Sequence, residues 1–146
     1  MIIEHPFKIA VVDDDEDIVE FTAQYISDNF PDFKALAYTN VDTAIEAIEK
    51  EHIKLCLSDI NMPDCPGDQF LKRCLDKELG CKFFFMTGDI KVVNVSKCLL
   101  LGALGFIFKP VEPAHLSECL TLGKELLQNW NHALRQCYDL KHPGKI

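Results

Sequence analysis

The chain has 146 residues, of which 48% are hydrophobic and 26% charged, and its net charge is -8. That length accommodates one domain with a real core rather than two, and the composition is that of a soluble globular protein rather than a disordered one. The acidic balance argues against a nucleic-acid surface, which needs clustered Lys and Arg, and suits a cationic partner better.

Met1 to Lys8 shows no apolar stretch behind a basic start, so no signal peptide is expected. No apolar run approaches the roughly 18 residues of a membrane span, and a cytoplasmic protein is expected. Lys8–Val12 is a short β-branched run, as in a parallel strand buried on both faces. From Asp15 to Phe30 the apolar residues Ile18, Val19, Phe21, Tyr25 and Ile26 recur at helical spacing. Phe33–Tyr38 is a second strand, and Asn40 then caps a helix whose face is Val41, Ala44, Ile45 and Ile48. Lys54–Ser58 reads as the third strand. A loop rich in Pro, Asp and Gly runs from Asp59 to Gly67, and a short helix follows to about Lys77. Cys81–Met86 is the fourth strand, with three consecutive Phe. Ile90–Leu101 is helical and closed by Gly102, Gly105–Phe108 is the fifth strand, and Pro113 opens a last helix to about Leu140.

Strand and helix alternate throughout, which predicts an α/β fold with a parallel sheet and helices on both faces. The seven cysteines (Cys56, Cys65, Cys74, Cys81, Cys98, Cys119 and Cys137) include no C-x-x-C pair of the kind zinc needs. They read as small hydrophobes in a reducing compartment.

Chemistry-bearing residues follow the strands: Asp13-Asp14-Asp15, then Asp59, Thr87 and Lys109-Pro110. Ligands of open α/β sheets bind at the carboxyl ends of strands, where strand order reverses. In the order 2-1-3-4-5 the first and third strands are neighbours there, so the triple Asp and Asp59 would meet. Clustered carboxylates repel unless compensated, and magnesium, which takes carboxylate and phosphate oxygens, is the natural compensation. Asp is a competent nucleophile for phosphoryl transfer, Lys109 can neutralise phosphate charge, and the Thr87 hydroxyl can donate to it. Each feature alone has a duller reading, since Asp is common in a first helical turn and Thr87-Gly88 is an ordinary turn. Their shared position at the ends of core strands is what argues for a site.

Over about Lys8 to Leu127 the sequence resembles the receiver domain of two-component response regulators, similar in length to the single-domain chemotaxis type. The matching motifs are Val11-Val12-Asp13-Asp14, Ser58-Asp59-Ile60-Asn61-Met62-Pro63 with Gly67 beyond, Met86-Thr87-Gly88, and Gly105-Phe106-Ile107-Phe108-Lys109-Pro110. The resemblance implies a flavodoxin-like, doubly wound five-stranded sheet. It makes Asp59 the phosphoacceptor and Asp14 a direct magnesium ligand, with Asp13 acting partly through water and the Asn61 carbonyl completing the set. Thr87 and Lys109 would bind phosphoryl oxygens, and the Lys109-Pro110 bond would be cis. Phe106 stands where the family places a switch aromatic, often Tyr; Phe cannot make the phenolic hydrogen bond. Pro66 also departs from the usual acidic or small residue. The phosphoryl donor would be a histidine kinase or phosphotransfer protein. The output would pass through the face of the fourth helix, fifth strand and fifth helix to a downstream protein or a missing output domain. A magnesium-dependent phosphatase or phosphotransferase with an Asp nucleophile is the alternative, but one large family of these needs a second Asp where Asn61 stands.

A receiver over residues 1–127 would leave 128–146 as a helical extension and tail. Leu116, Leu120, Gly123, Leu127, Trp130, Leu134 and Cys137 recur at alternating spacings of four and three, an a/d seam. Its second half would lie exposed and support a weak homodimer, with folding back onto the domain as the alternative.

Overall fold

The computed structural model describes residues 2–89 and 92–144. Phe7–Val12 (β1), Phe33–Tyr38 (β2), Leu55–Asp59 (β3), Lys82–Thr87 (β4) and Gly105–Phe108 (β5) form one parallel sheet in the order β2-β1-β3-β4-β5. Between and after them run Glu16–Asn29 (α1), Val41–Lys50 (α2), Gly67–Asp76 (α3), Val92–Leu100 (α4) and Pro113–Lys141 (α5). The expected fold class and strand order hold. Of the helix expected over Ile90–Leu101, Ile90 and Lys91 lie outside the described residues.

Strand alternation divides the core. Phe7, Ile9, Val11, Leu55, Leu57, Phe84 and Met86 point to the face covered by α1 and α5, against Val19, Ile26, Leu116, Leu120 and Leu127. Ala10, Val12, Cys56, Phe83 and Phe85 point to the other face, against Ile45 and Ile48 of α2, Phe70 and Leu71 of α3, and Cys98 of α4. Phe83, Phe84 and Phe85 are almost wholly buried, and each stabilises the fold by about 1.5–3 kcal/mol. β3 is buried along its whole length and β4 everywhere except Lys82, so residues 55–57 and 83–86 read as unbroken apolar runs, with the polar residues Ser58, Asp59 and Thr87 only at their carboxyl ends.

Local signals set the helix starts. The Asp15 carboxylate accepts from the Asp17 and Ile18 N–H groups, and the Asn40 side chain accepts from Thr43 N–H. Each cap contributes about 1 kcal/mol. Gly123 lets α5 lie close on the sheet: a Cβ there would come within 2.6 Å of Leu55 Cδ2, and Leu55 is fully buried.

Five of the cysteines (Cys56, Cys65, Cys74, Cys81 and Cys98) are buried, and all seven are free thiols. Burial pushes the Cys56 and Cys81 thiols far up and Cys74 up to about 12, so they stay protonated and behave as apolar side chains. No described helix is long and apolar enough to cross a membrane.

As expected for the second half of the seam, Trp130 is 40% exposed and Leu134 only half-buried. The buried stripe of α5 instead ends at Asn131, which lies off that seam. The Asn131 amide donates to Ile3 O at 2.8 Å, and its Oδ1 accepts from Ile3 N–H at 2.7 Å. Residues 116, 120, 123, 127 and 131 follow the 3.6-residue period of a straight helix on a sheet, not the 3.5 of a coiled coil. The N-terminal segment thus covers the first turn beyond Leu127, while Cys137 stays exposed. α5 runs unbroken through residue 128 to Lys141, in keeping with a last helix expected to continue to about Leu140.

Candidate functional site

β1 and β3 are adjacent in register, with Val12 beside Ser58, so the residues at their carboxyl ends meet. Asp13 and Asp59 are 1% and 8% exposed, whereas Asp14 faces solvent. One oxygen from each of Asp13, Asp14 and Asp59 can be chosen so that all lie within 4.8 Å of one another. Buried carboxylates are costly without partners. Lys109 supplies the partner, its Nζ standing 3.0 Å from Asp13 Oδ2 and 3.2 Å from Asp59 Oδ2. Backbone donors add to it: Asp15 N–H reaches Asp13 Oδ1 at 3.0 Å, and Asn61 N–H reaches Asp59 Oδ1 at 3.1 Å.

Burial pulls the Lys109 pKa down, but the hydrogen bond to Asp13 and the charges of Asp59 and Asp13 outweigh it and hold the pKa above the ordinary 10.5. The folded pKa is the higher one, so this pairing stabilises fully below pH 10.5 and is lost as pH rises through the raised value. One ammonium still faces three carboxylates. That surplus of hard oxygen donors, with Asp14 on the open side, fits a magnesium ion that keeps some of its waters.

Thr87 ends β4 and is buried, and it does not bond to Asp59 here. Its hydroxyl donates to Asp89 O at 2.7 Å and accepts from Asp89 N–H at 3.2 Å. The Thr87 carbonyl accepts from Lys109 N–H at 2.8 Å, which fixes the end of β5 against β4. The Lys109-Pro110 bond is cis, as expected. Phe106 is half-buried, stacked on Phe85 at a centroid distance of 6.0 Å, and Phe85 in turn stacks on Phe83. Gly67 begins α3 where a Cβ would lie 2.8 Å from Phe85 Cε1 and 3.1 Å from Ile60 Cα, so only glycine lets this loop close beneath Asp59. Asp59 and Thr87, placed just beyond their strands by the sequence reading, are the last residues of β3 and β4. The bridging of Asp13 by Lys109 was not expected, since 96 residues separate them.

Fold and site together define an α/β domain with a carboxylate cluster and a lysine at the carboxyl edge of its sheet. The response regulator receiver domain model matches residues 9–121, and the chain belongs to that family. It is 26% identical over 140 residues to the response regulator SaeR of Staphylococcus epidermidis, covering 94% of this chain and 55% of that protein. It is 31% identical over 110 residues to the regulatory protein VanR of Enterococcus faecium, covering 75% of this chain and 46% of VanR. The chain therefore spans about half the length of these relatives. A CheY-like response regulator receiver domain protein from Methanospirillum hungatei superposes with a TM-score of 0.76 at 28% identity, over 84% of this chain and 97% of that one.

Proposed function

We propose that the chain is a phosphorylation-activated signalling switch in which Asp59 accepts the phosphoryl group. The observation that carries this reading is the Asp59 carboxylate at the end of β3, clustered with Asp13 and Asp14 and touching Lys109. A histidine kinase or phosphotransfer protein supplies the group. An Asp59 oxygen attacks phosphorus, an O–P bond forms, the donor's N–P bond breaks, and the departing imidazole takes a proton. When bound, magnesium would neutralise phosphoryl charge, and Asp13, Asp14, Asp59 and the Asn61 carbonyl are the groups that would hold it. The Lys109 ammonium, already 3.2 Å from Asp59, pairs with a phosphoryl oxygen.

The Thr87 hydroxyl then exchanges its Asp89 carbonyl partner for a phosphoryl oxygen. Phe106 repacks into the space near Thr87, and the α4-β5-α5 face changes shape. A downstream protein or an attached output domain reads that face; direct nucleic-acid or membrane contact has no part in this reading. The chain acts in the cytoplasm and catalyses only its own phosphorylation and dephosphorylation. The phosphatase alternative is disfavoured by Asn61, whose amide cannot serve as a general acid. In the direct test, acetyl phosphate with magnesium adds one phosphoryl group, and excess chelator prevents it. Labelling at more than one site, or none, would overturn the reading.

Two smaller predictions follow from the site's surroundings. Asn61 and Asp89, two residues beyond Asp59 and Thr87, flank the path of a water attacking the acyl phosphate. Asp89→Leu is expected to slow loss of the phosphoryl group on the order of tenfold by removing a polar group that orients that water. Unchanged or faster decay, followed by intact-protein mass spectrometry, would remove Asp89 from this role. The exposed end of α5, with Trp130 and Cys137, is read as a weak contact between two copies. Sedimentation of the full chain should show concentration-dependent dimer that is absent from a chain ending at Gln128; a monomer throughout would rule it out.

A further inference from the structure

At the opposite end of the sheet from Asp59, the amino ends of the strands border a cavity of about 660 Å³. Four lysines reach it: Lys8 from β1, Lys34 from β2, Lys50 from the end of α2, and Lys54 just before β3. Lys8 and Lys34 are direct register partners on neighbouring strands. Both lie on the side of the sheet that α2 covers, since Ala10, Val12 and Leu36 share their parity. Like charges placed opposite one another on a sheet destabilise it.

Compensation within the cavity is incomplete. Glu51 stands 3.7 Å from Lys8, and the Lys54 ammonium donates to the Leu79 carbonyl at 2.7 Å. Among the described residues, Lys34 and Lys50 have no ion-pair partner. The carboxylates lining the cavity are Glu4 and Glu51, two against four ammonium groups. The carbonyl end of α2 relieves some of this charge. The surplus is nevertheless positive, in a chain whose net charge is -8. His52 also lines the cavity. It follows the C-cap of α2 with a φ of 55°, a left-handed position that glycine occupies at lower steric cost. Ile2, Ile3 and Pro6, with the methylene stems of the lysines, make the remaining wall apolar.

We infer that this groove binds a small organic anion, with a phosphate or carboxylate group between Lys34 and Lys50 and an apolar body against Ile2, Ile3 and Pro6. The cavity lies within the roughly 300–1,000 Å³ range of small-molecule sites. Uncompensated ammonium groups supply attraction for the anionic head, and the apolar wall selects against fully hydrated inorganic ions.

The probe is 1-naphthyl phosphate, titrated without magnesium into the full chain and followed by backbone amide NMR, with 1-naphthol and inorganic phosphate as the two halves of the ligand. Saturable shifts are expected at Lys8, Lys34 and residues 50–54, with weaker response to either half and a loss of affinity as salt is raised. Lys34→Glu/Lys50→Glu is expected to bind about tenfold more weakly, because two attractive charges become repulsive. Lys34→Arg/Lys50→Arg should retain binding. Both pairs lie on the surface, and labelling by acetyl phosphate should be unchanged in both, which separates this site from the one at Asp59. Shifts confined to Asp13, Asp59 and Thr87, equal binding of 1-naphthol, or undiminished affinity in the charge-reversed variant would each overturn the assignment.

Discussion

Asp59→Asn is expected to lower phosphoryl incorporation from acetyl phosphate by about a hundredfold or more, to the background of the assay. The amide has the shape of the carboxylate and keeps an oxygen to accept the Asn61 N–H, which now reaches Asp59 Oδ1 at 3.1 Å. It lacks the anionic oxygen that attacks phosphorus. Loss of the charge also weakens the contact with Lys109 at 3.2 Å, but Lys109 keeps Asp13 at 3.0 Å. One fewer carboxylate in a cluster of three relieves repulsion, so the variant should melt no lower than the wild type. Folding and chemistry are thereby separated in one substitution. Labelling at the wild-type level would place the acceptor elsewhere, with Asp13 and Asp14 the first to examine by peptide mapping.

Asp14→Ala is the second large effect. Asp14 is exposed and makes no hydrogen bond or ion pair among the described residues, so its removal leaves the packing untouched. Its oxygen is the open-side donor of the cluster. Magnesium should bind weakly to the wild type, because such a site leaves several positions to water. In the variant, binding measured by calorimetry should fall by about tenfold or more, and phosphoryl incorporation should fall with it. The two losses should track one another across magnesium concentrations. Normal labelling in excess chelator, in either protein, would show that the chemistry does not use a metal.

Much of this protein is legible in its sequence. The order of elements follows from apolar runs broken by turn residues, and parallel pairing follows from the alternation of strand and helix. Asn40 announced the helix it caps, because a capping interaction is local. The acidic residues, Thr87 and Lys109 were recognisable as a set because each stands at the end of a strand that hydrophobicity locates, and strand ends are where such sheets place their ligands. The cis bond before Pro110 was expected from family resemblance alone.

Tertiary structure decided what depends on distance rather than spacing. Lys109 meets Asp13 and Asp59 across 96 and 50 residues because β5 and β1 end at the same edge of the sheet, and no local pattern encodes that pairing. The Thr87 hydroxyl turns to Asp89 rather than Asp59, a choice made by the turn that follows β4. Along α5, hydrophobicity alone put Trp130 in the seam, whereas the structure buries Asn131, a polar residue that no hydrophobic pattern would select. Its carboxamide is satisfied by the backbone of Ile3, 128 residues away, which only the folded chain brings within reach. The lysine groove is likewise invisible in a sequence whose net charge is -8, because Lys8, Lys34, Lys50 and Lys54 converge only where the strands lie side by side. Sequence fixes which residues can carry charge or be buried; adjacency in the sheet fixes which of those charges must share one space.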